Sequence, residues 1–262
     1  MRVPSSQPRD LPPGFERVRW YSHALRKPVS FLVWAPPGHY SEPARRYPAL
    51  YLLHGSGHDP DSVLREVKPQ DGIASLGQSL LVIPAGGQGW WLDSPNVAGS
   101  RYGQYLLELV ALVDHRYRSV PNRRGRGLCG FSMGGYGAML MACRHPQMIG
   151  SASSLLGPLD IEQMFPSYER LRLLLGADRS VWRQHNPTPL AHTLNNTGLC
   201  FCTAMNAFDR PQNDAFAAAL ERAGILFEYS THPGDHDSAF VARHISAHMG
   251  FHRRAFDRGM QS

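Results

Sequence analysis

The stretch that most restricts how this chain can fold is Gly130-Phe131-Ser132-Met133-Gly134, a Gly-x-Ser-x-Gly pentapeptide. Ahead of it, Gly127-Leu128-Cys129 is apolar enough for a buried strand. Behind it, residues 135–142 are small and apolar enough for a helix packed closely on a sheet. Strand, sharp turn and helix make such a pentapeptide a nucleophile elbow. The turn demands a strained backbone at Ser132, and glycines on both sides remove the Cβ atoms that would hold strand and helix apart. The hydroxyl then stands at a helix N-terminus, where the helix dipole favours negative charge.

Around this turn, apolar runs alternate with helical periods. Residues 16–22 and 29–36 read as an antiparallel pair joined around Arg26-Lys27-Pro28. Residues 47–54 and 80–84 are near-continuous apolar runs, the mark of strands buried on both faces. Residues 59–78 between them are polar and partly helical. Residues 105–116 carry apolar side chains at 105, 106, 109, 110, 112 and 113, a helical period with a wide buried face. After the elbow, residues 149–155, 199–205 and 227–232 read as strands, and 212–223 and 244–256 as helices. The alternation predicts an α/β fold with a mostly parallel central sheet and helices on both faces. Without repeats or low-complexity linkers, residues 1–262 read as a single domain. Residues 158–197 hold Pro, Asn and aromatics with no clear period, and read as a cap-like insert.

Composition narrows the function classes. No run of about 18 apolar residues is present, so no membrane span is expected. Residues 1–13 are polar and proline-rich without the apolar core of a secretory leader. That points to the cytoplasm and leaves open a leader removed ahead of Met1. Cys129 and Cys143 flank the elbow as small buried hydrophobes, while Cys200 and Cys202 alternate on one strand face without the company a zinc site needs. No metal and no cofactor are expected. The net charge of +6 is spread along the chain. Its tightest cluster, Arg123-Arg124-Gly125-Arg126, lacks interleaved aromatics and reads as a solvated loop, against nucleic-acid binding. A homo-oligomer stays open.

A serine hydroxyl is a poor nucleophile at neutral pH and needs a base to take its proton. With an elbow of this kind the chain order is serine, acid, histidine. His236, in the turn-forming Pro233-Gly234-Asp235-His236-Asp237 after the last strand, stands where the base belongs. His232 is its nearest rival but reads as the strand end. Asp209 follows strand 199–205 and is the candidate acid, ahead of Asp214, which opens the next helix. Asp235 and Asp237 adjoin His236 too closely to reach its far nitrogen. The oxyanion hole needs two N–H donors: Met133 after the nucleophile, and Ser56 in the loop Gly55-Ser56-Gly57 after the strand ending at His54. Gly55, Trp90 and Trp91 are candidate substrate-binding residues, packing being the commoner use of a paired Trp.

These segments resemble the esterase D family of α/β hydrolases, which includes S-formylglutathione hydrolases, tributyrin-type and feruloyl esterases and, more distantly, mycolyltransferases. The resemblance runs over residues 18–248. It is carried by Tyr47-Pro48-Ala49-Leu50-Tyr51-Leu52-Leu53-His54-Gly55, Trp90-Trp91-Leu92-Asp93-Ser94-Pro95, residues 125–138 around the elbow, and Pro233-Gly234-Asp235-His236-Asp237. It implies the α/β-hydrolase fold and a small-molecule ester substrate. It also implies Ser132 as nucleophile, His236 as base, and the Ser56 and Met133 amides as oxyanion hole. Two departures stand out. Near the acid the family usually has Cys-Gly-Thr-Glu-Asp, whereas this chain has Cys202-Thr203-Ala204-Met205-Asn206-Ala207-Phe208-Asp209. The residue after His-Asp, often Trp in the family, is Ser238, which reshapes the pocket wall.

The expectation is a cofactor-free serine carboxylesterase that hydrolyses short-chain acyl esters through Ser132, His236 and Asp209 and an acyl-enzyme. Two alternatives stay open: an acyltransferase that hands the same acyl group to an alcohol, and a non-catalytic binding protein on the same fold.

Overall fold

The computed structural model describes residues 11–261; of residues 1–13, read above for a leader, 1–10 lie outside it. The described residues contain β1 (Phe15–Ser22), β2 (Lys27–Trp34), β3 (Ala49–Leu53), β4 (Leu80–Pro84), β5 (Arg126–Phe131), β6 (Ser151–Leu155), β7 (Gly198–Ala204) and β8 (Glu228–His232). These pair in one sheet of order β1-β2-β4-β3-β5-β6-β7-β8. The β1–β2 and β2–β4 pairs are antiparallel, and every pair from β4 to β8 is parallel. The long helices are α1 (Tyr102–Arg116), α2 (Met133–Arg144), α3 (Arg210–Arg222) and α4 (Ser238–Gln261).

Side chains of the central strands alternate between two apolar clusters. Ala49, Tyr51 and Leu53 of β3 pack with residues of α1, α2 and α3. Leu50 and Leu52 pack on the other face with α4 and residues 63–76. Burial on both faces is why β3 and β4 read without polar alternation. Residues 158–197 fold into short helical segments, among them Glu169–Leu175 and Arg179–Gln184. Their Ile161, Leu171, Leu174 and Trp182 join the α1–α3 cluster.

Several local readings shift. The β1–β2 turn falls at residues 23–26, and Lys27 and Pro28 belong to β2. Glu108 of α1 accounts for this: its carboxylate accepts from Ser22 Oγ at 2.7 Å and from the Ala24 amide at 2.8 Å, pinning the turn. The arginine cluster is only partly a solvated loop, because Arg126 is buried and pairs with Asp114 at 2.6 Å. The last helix starts at Ser238 rather than near residue 244. Asp237 Oδ1 accepts from the Phe240 amide at 2.7 Å and so caps the new first turn.

Glycines let α2 and the sheet meet. A Cβ on Gly130 would run into the Gly134 carbonyl, and one on Gly134 into the Leu53 carbonyl. Both obstacles are backbone and cannot rotate aside. We therefore expect Gly134→Ala to destabilise the protein by at least about 3 kcal/mol. Gly250→Ala on α4, where a Cβ meets nothing nearer than Arg254 at 3.8 Å, should be neutral or stabilising by up to about 1 kcal/mol. Urea unfolding of the two variants reads both.

The α4 helix is tied to the sheet by polar contacts as well. His252 lies between Ser151 Oγ, 2.7 Å from Nδ1, and Ser153 Oγ, 2.8 Å from Nε2. Burial holds it neutral, well below the usual 6.5, and pushes neighbouring His248 down to about 3. With depressed folded values, the stabilisation is complete above the unfolded pKa near 6.5. It is lost as pH falls below that, because only the unfolded chain takes up the protons. Each histidine contributes a slope of up to about 1.4 kcal/mol per pH unit. Urea midpoints should therefore decline steadily below pH ~6.5, and His252→Asn should make the decline shallower. A profile that stays flat down to pH ~5 would contradict this.

Candidate active site

The site assembles at the carboxyl ends of the parallel strands, where open α/β sheets collect ligands. Ser132 follows β5 directly and precedes the first residue of α2. Its backbone takes φ 52 and ψ −122, a conformation that L-residues rarely adopt. The Ser132 amide donates to the Leu155 carbonyl at 2.9 Å, holding the strained residue to the end of β6. The Met133 amide, at the first position of α2, has no acceptor within the helix.

The loop after β7 brings Asp209 beneath the turn after β8, which carries His236. Ser132 Oγ lies 2.9 Å from His236 Nε2, and His236 Nδ1 lies 2.7 Å from Asp209 Oδ1. With Nδ1–H donating to the carboxylate, Nε2 is left as acceptor for the serine hydroxyl. Asp209 is 0% exposed, whereas the His236 side chain is 22% exposed. The other Asp209 oxygen accepts from Thr203 Oγ1 at 2.6 Å and Asn213 Nδ2 at 2.9 Å. A buried carboxylate needs such donors to offset its lost hydration. The rivals are engaged otherwise: Asp214 accepts from Tyr229, Asp237 caps α4, and His232 stacks on His244.

Gly55 and Ser56 line a cavity of about 170 Å³ beside Ser132. Gly55 lies so close that a Cβ there would come within 3.2 Å of Ser132 Cβ. His54 fixes this loop. Its Nδ1–H donates to the Gly55 carbonyl at 2.8 Å, and its Nε2 accepts from the Gly86 amide at 2.8 Å. Burial lowers the His54 pKa to about 4, so the ring is neutral and can play both parts. Ser56 Oγ donates to Gln88 Oε1 at 2.6 Å, and Arg170 Nε donates to the Gln88 carbonyl at 2.8 Å. The roles of His54, Gln88, Thr203 and Asn213 went unread in the sequence. Only His54 stood out there, as the end of a strand and part of a segment that carries the resemblance.

Trp90 and Trp91 are placed in the core, 2% and 0% exposed, and neither lines the cavity. Both have φ 54, in the left-handed region. Trp91 packs on Gly137 and donates from Nε1 to the His54 carbonyl at 3.2 Å, while Trp90 meets Tyr136 and Tyr168 edge-on. Two other aromatics are at the site: Phe131 lines the cavity, and Phe208 is exposed with its ring 4.6 Å from that of His236.

Among the described residues, no helix is long and apolar enough to cross a membrane. Over 156 residues, 56% of this chain, the sequence is 30% identical to esterase Rv1288 of Mycobacterium tuberculosis (strain ATCC 25618 / H37Rv). The match covers 34% of that relative, so the chain spans about a third of its length. The structure superposes on an S-formylglutathione hydrolase from Agrobacterium tumefaciens with a TM-score of 0.81 at 21% identity, covering 94% of this chain and 98% of that one. It superposes on Mycobacterium tuberculosis MPT51 with a TM-score of 0.78 at 20% identity, covering 92% and 98%. Likeness at that identity establishes the α/β-hydrolase fold. The family described as "Putative esterase" matches residues 22–237, from the end of β1 to just past His236, and the chain belongs to that family.

Proposed function

We propose that the protein is a serine carboxylesterase acting on short-chain acyl esters. The observation that carries this reading is the continuous hydrogen-bond chain from Ser132 through His236 to the buried Asp209. Ser132 Oγ attacks the ester carbonyl as His236 Nε2 takes its proton, forming a tetrahedral oxyanion. The Ser56 and Met133 amides donate to that oxyanion. As the C–O bond to the alcohol breaks, His236 returns the proton to the leaving oxygen and an acyl-enzyme remains. Water attacks in turn, again deprotonated by His236, and the acid is released with Ser132 restored. Asp209 holds the imidazole in the tautomer with Nδ1 protonated and stabilises the imidazolium formed in each half.

Residues 158–197 act as a cap-like insert of a single domain. Arg170 bonds the Gln88 carbonyl and Tyr168 packs on Trp90, so the insert bears on the loop that orients Ser56. The small cavity beside Ser132 supports the short acyl preference. At about 170 Å³ it falls below the ~300 Å³ at which drug-sized sites begin.

Ser132→Ala should lose essentially all turnover of p-nitrophenyl acetate, a fall of about 10⁶, and all labelling by a fluorophosphonate probe, while unfolding normally. Undiminished hydrolysis by this variant would sink the reading. Asp209→Asn leaves the shape intact but favours the wrong tautomer, and kcat should drop by about 10⁴. A loss under tenfold would remove Asp209 from the acid's role.

A further inference from the structure

The cavity beside Ser132 is lined by apolar Phe131, Leu156 and Val241 and by polar His58 and Ser238. Glu66 bonds both of the polar residues. His58 Nε2 lies 3.1 Å from Glu66 Oε2 and 3.2 Å from Ser238 Oγ, and the Ser238 hydroxyl donates to the same carboxylate oxygen at 3.4 Å. His58 Nδ1 sits 3.3 Å from the Ser56 carbonyl oxygen, and its ring stands edge-on to Phe131 at 5.1 Å. Two distant stretches of chain thus meet: residues 58–66, from the loop after β3 into the helical segment Val63–Val67, and Ser238 at the start of α4.

This wall has hydrogen-bonding capacity to spare. A hydroxyl offers one donor and two acceptor sites. Ser238 gives its one donor to Glu66 or to His58 and accepts at most once from His58, so in either tautomer an acceptor site remains beside the cavity. An alkyl group filling the space would cover that oxygen without pairing it, whereas a hydroxyl on the substrate would pair it. A substrate carboxylate would instead meet the negative charges of Glu66 and of Asp237, which also lines the cavity. The group that fits is therefore small, neutral and a hydrogen-bond donor. The leaving alcohol takes its proton from His236 Nε2, beside the exposed Phe208, so the half-open cavity on the other side of Ser132 is left for the acyl substituent.

Resting on the esterase reading above, we infer that His58, Glu66 and Ser238 select esters of short hydroxylated acids over their alkyl counterparts. The test compares kcat/KM for the p-nitrophenyl esters of 3-hydroxybutyrate and 3-methylbutanoate. The two are nearly isosteric and share an alcohol; each is corrected by its own alkaline hydrolysis rate. Wild type should favour the hydroxy ester by about tenfold or more, and Ser238→Ala and His58→Phe should each bring the ratio towards one. Because the ratio is taken within each variant, it does not depend on how much of that variant is active. A wild-type ratio near one, or a preference that survives both substitutions, overturns the proposal. If neither these esters nor p-nitrophenyl acetate is turned over in a Ser132-dependent way, the esterase reading itself falls and the proposal with it.

Discussion

Everything at the site depends on how closely α2 approaches the sheet. Its first turn crosses the ends of β3 and β5 with glycine backbone against backbone carbonyls, and no side chain larger than hydrogen fits between. That approach forces Ser132 to positive φ, a conformation worth about 1–3 kcal/mol of strain. The strain is held because the neighbours over-determine it: the Leu155 carbonyl fixes the Ser132 amide, and Gly55 fills the space beside its Cβ. The same approach puts the Met133 amide at the first position of α2, directly after Ser132. The placement of both residues follows from one packing constraint.

A second constraint acts from the other end of the hydrogen-bond chain. Asp209 is fully buried, and a carboxylate stripped of water costs several kcal/mol unless donors replace it. Thr203, Asn213 and His236 supply three, each charge-assisted and worth about 1.5–3 kcal/mol. Asn213 also bonds the Gly157 carbonyl at 2.9 Å, so the acid's support is anchored to the chain leaving β6. The carboxylate cannot swing away without orphaning all of these groups, which keeps the imidazole aimed at Ser132.

How much of this the sequence made legible follows from how local each feature is. The elbow, the apolar strands and the loops after β7 and β8 are written in runs of a few residues, and chain order picked out three residues, Ser132, His236 and Asp209, that the fold brings into hydrogen-bond contact. The turn before β2 was misplaced because Glu108, far along the chain, decides it. The start of α4 was missed although Phe240, Val241, Ile245 and Met249 carry a helical period, because Pro233-Gly234-Asp235-His236-Asp237 ahead of them reads as a loop and hides the cap at Asp237. Trp90 and Trp91 sit at positive φ, which no residue-type rule anticipates for tryptophan. The cavity's polar wall joins residues 58, 66 and 238, and no short motif can encode such a meeting.

The histidines differ in what surrounds each imidazole. His54 donates to a backbone carbonyl and accepts from a backbone amide, both within buried loops. His252 is closed between two serine hydroxyls on the sheet. In each the partners are neutral, burial disfavours the imidazolium, and no space adjoins either nitrogen for a substrate. His236 has the opposite arrangement. Its Nδ1 faces a buried carboxylate that stabilises positive charge, its Nε2 faces a hydroxyl at the edge of a cavity, and its ring reaches solvent. Proton transfer requires a ring that can carry charge at one nitrogen while exchanging protons at the other. Among these three imidazoles, only His236 meets both conditions.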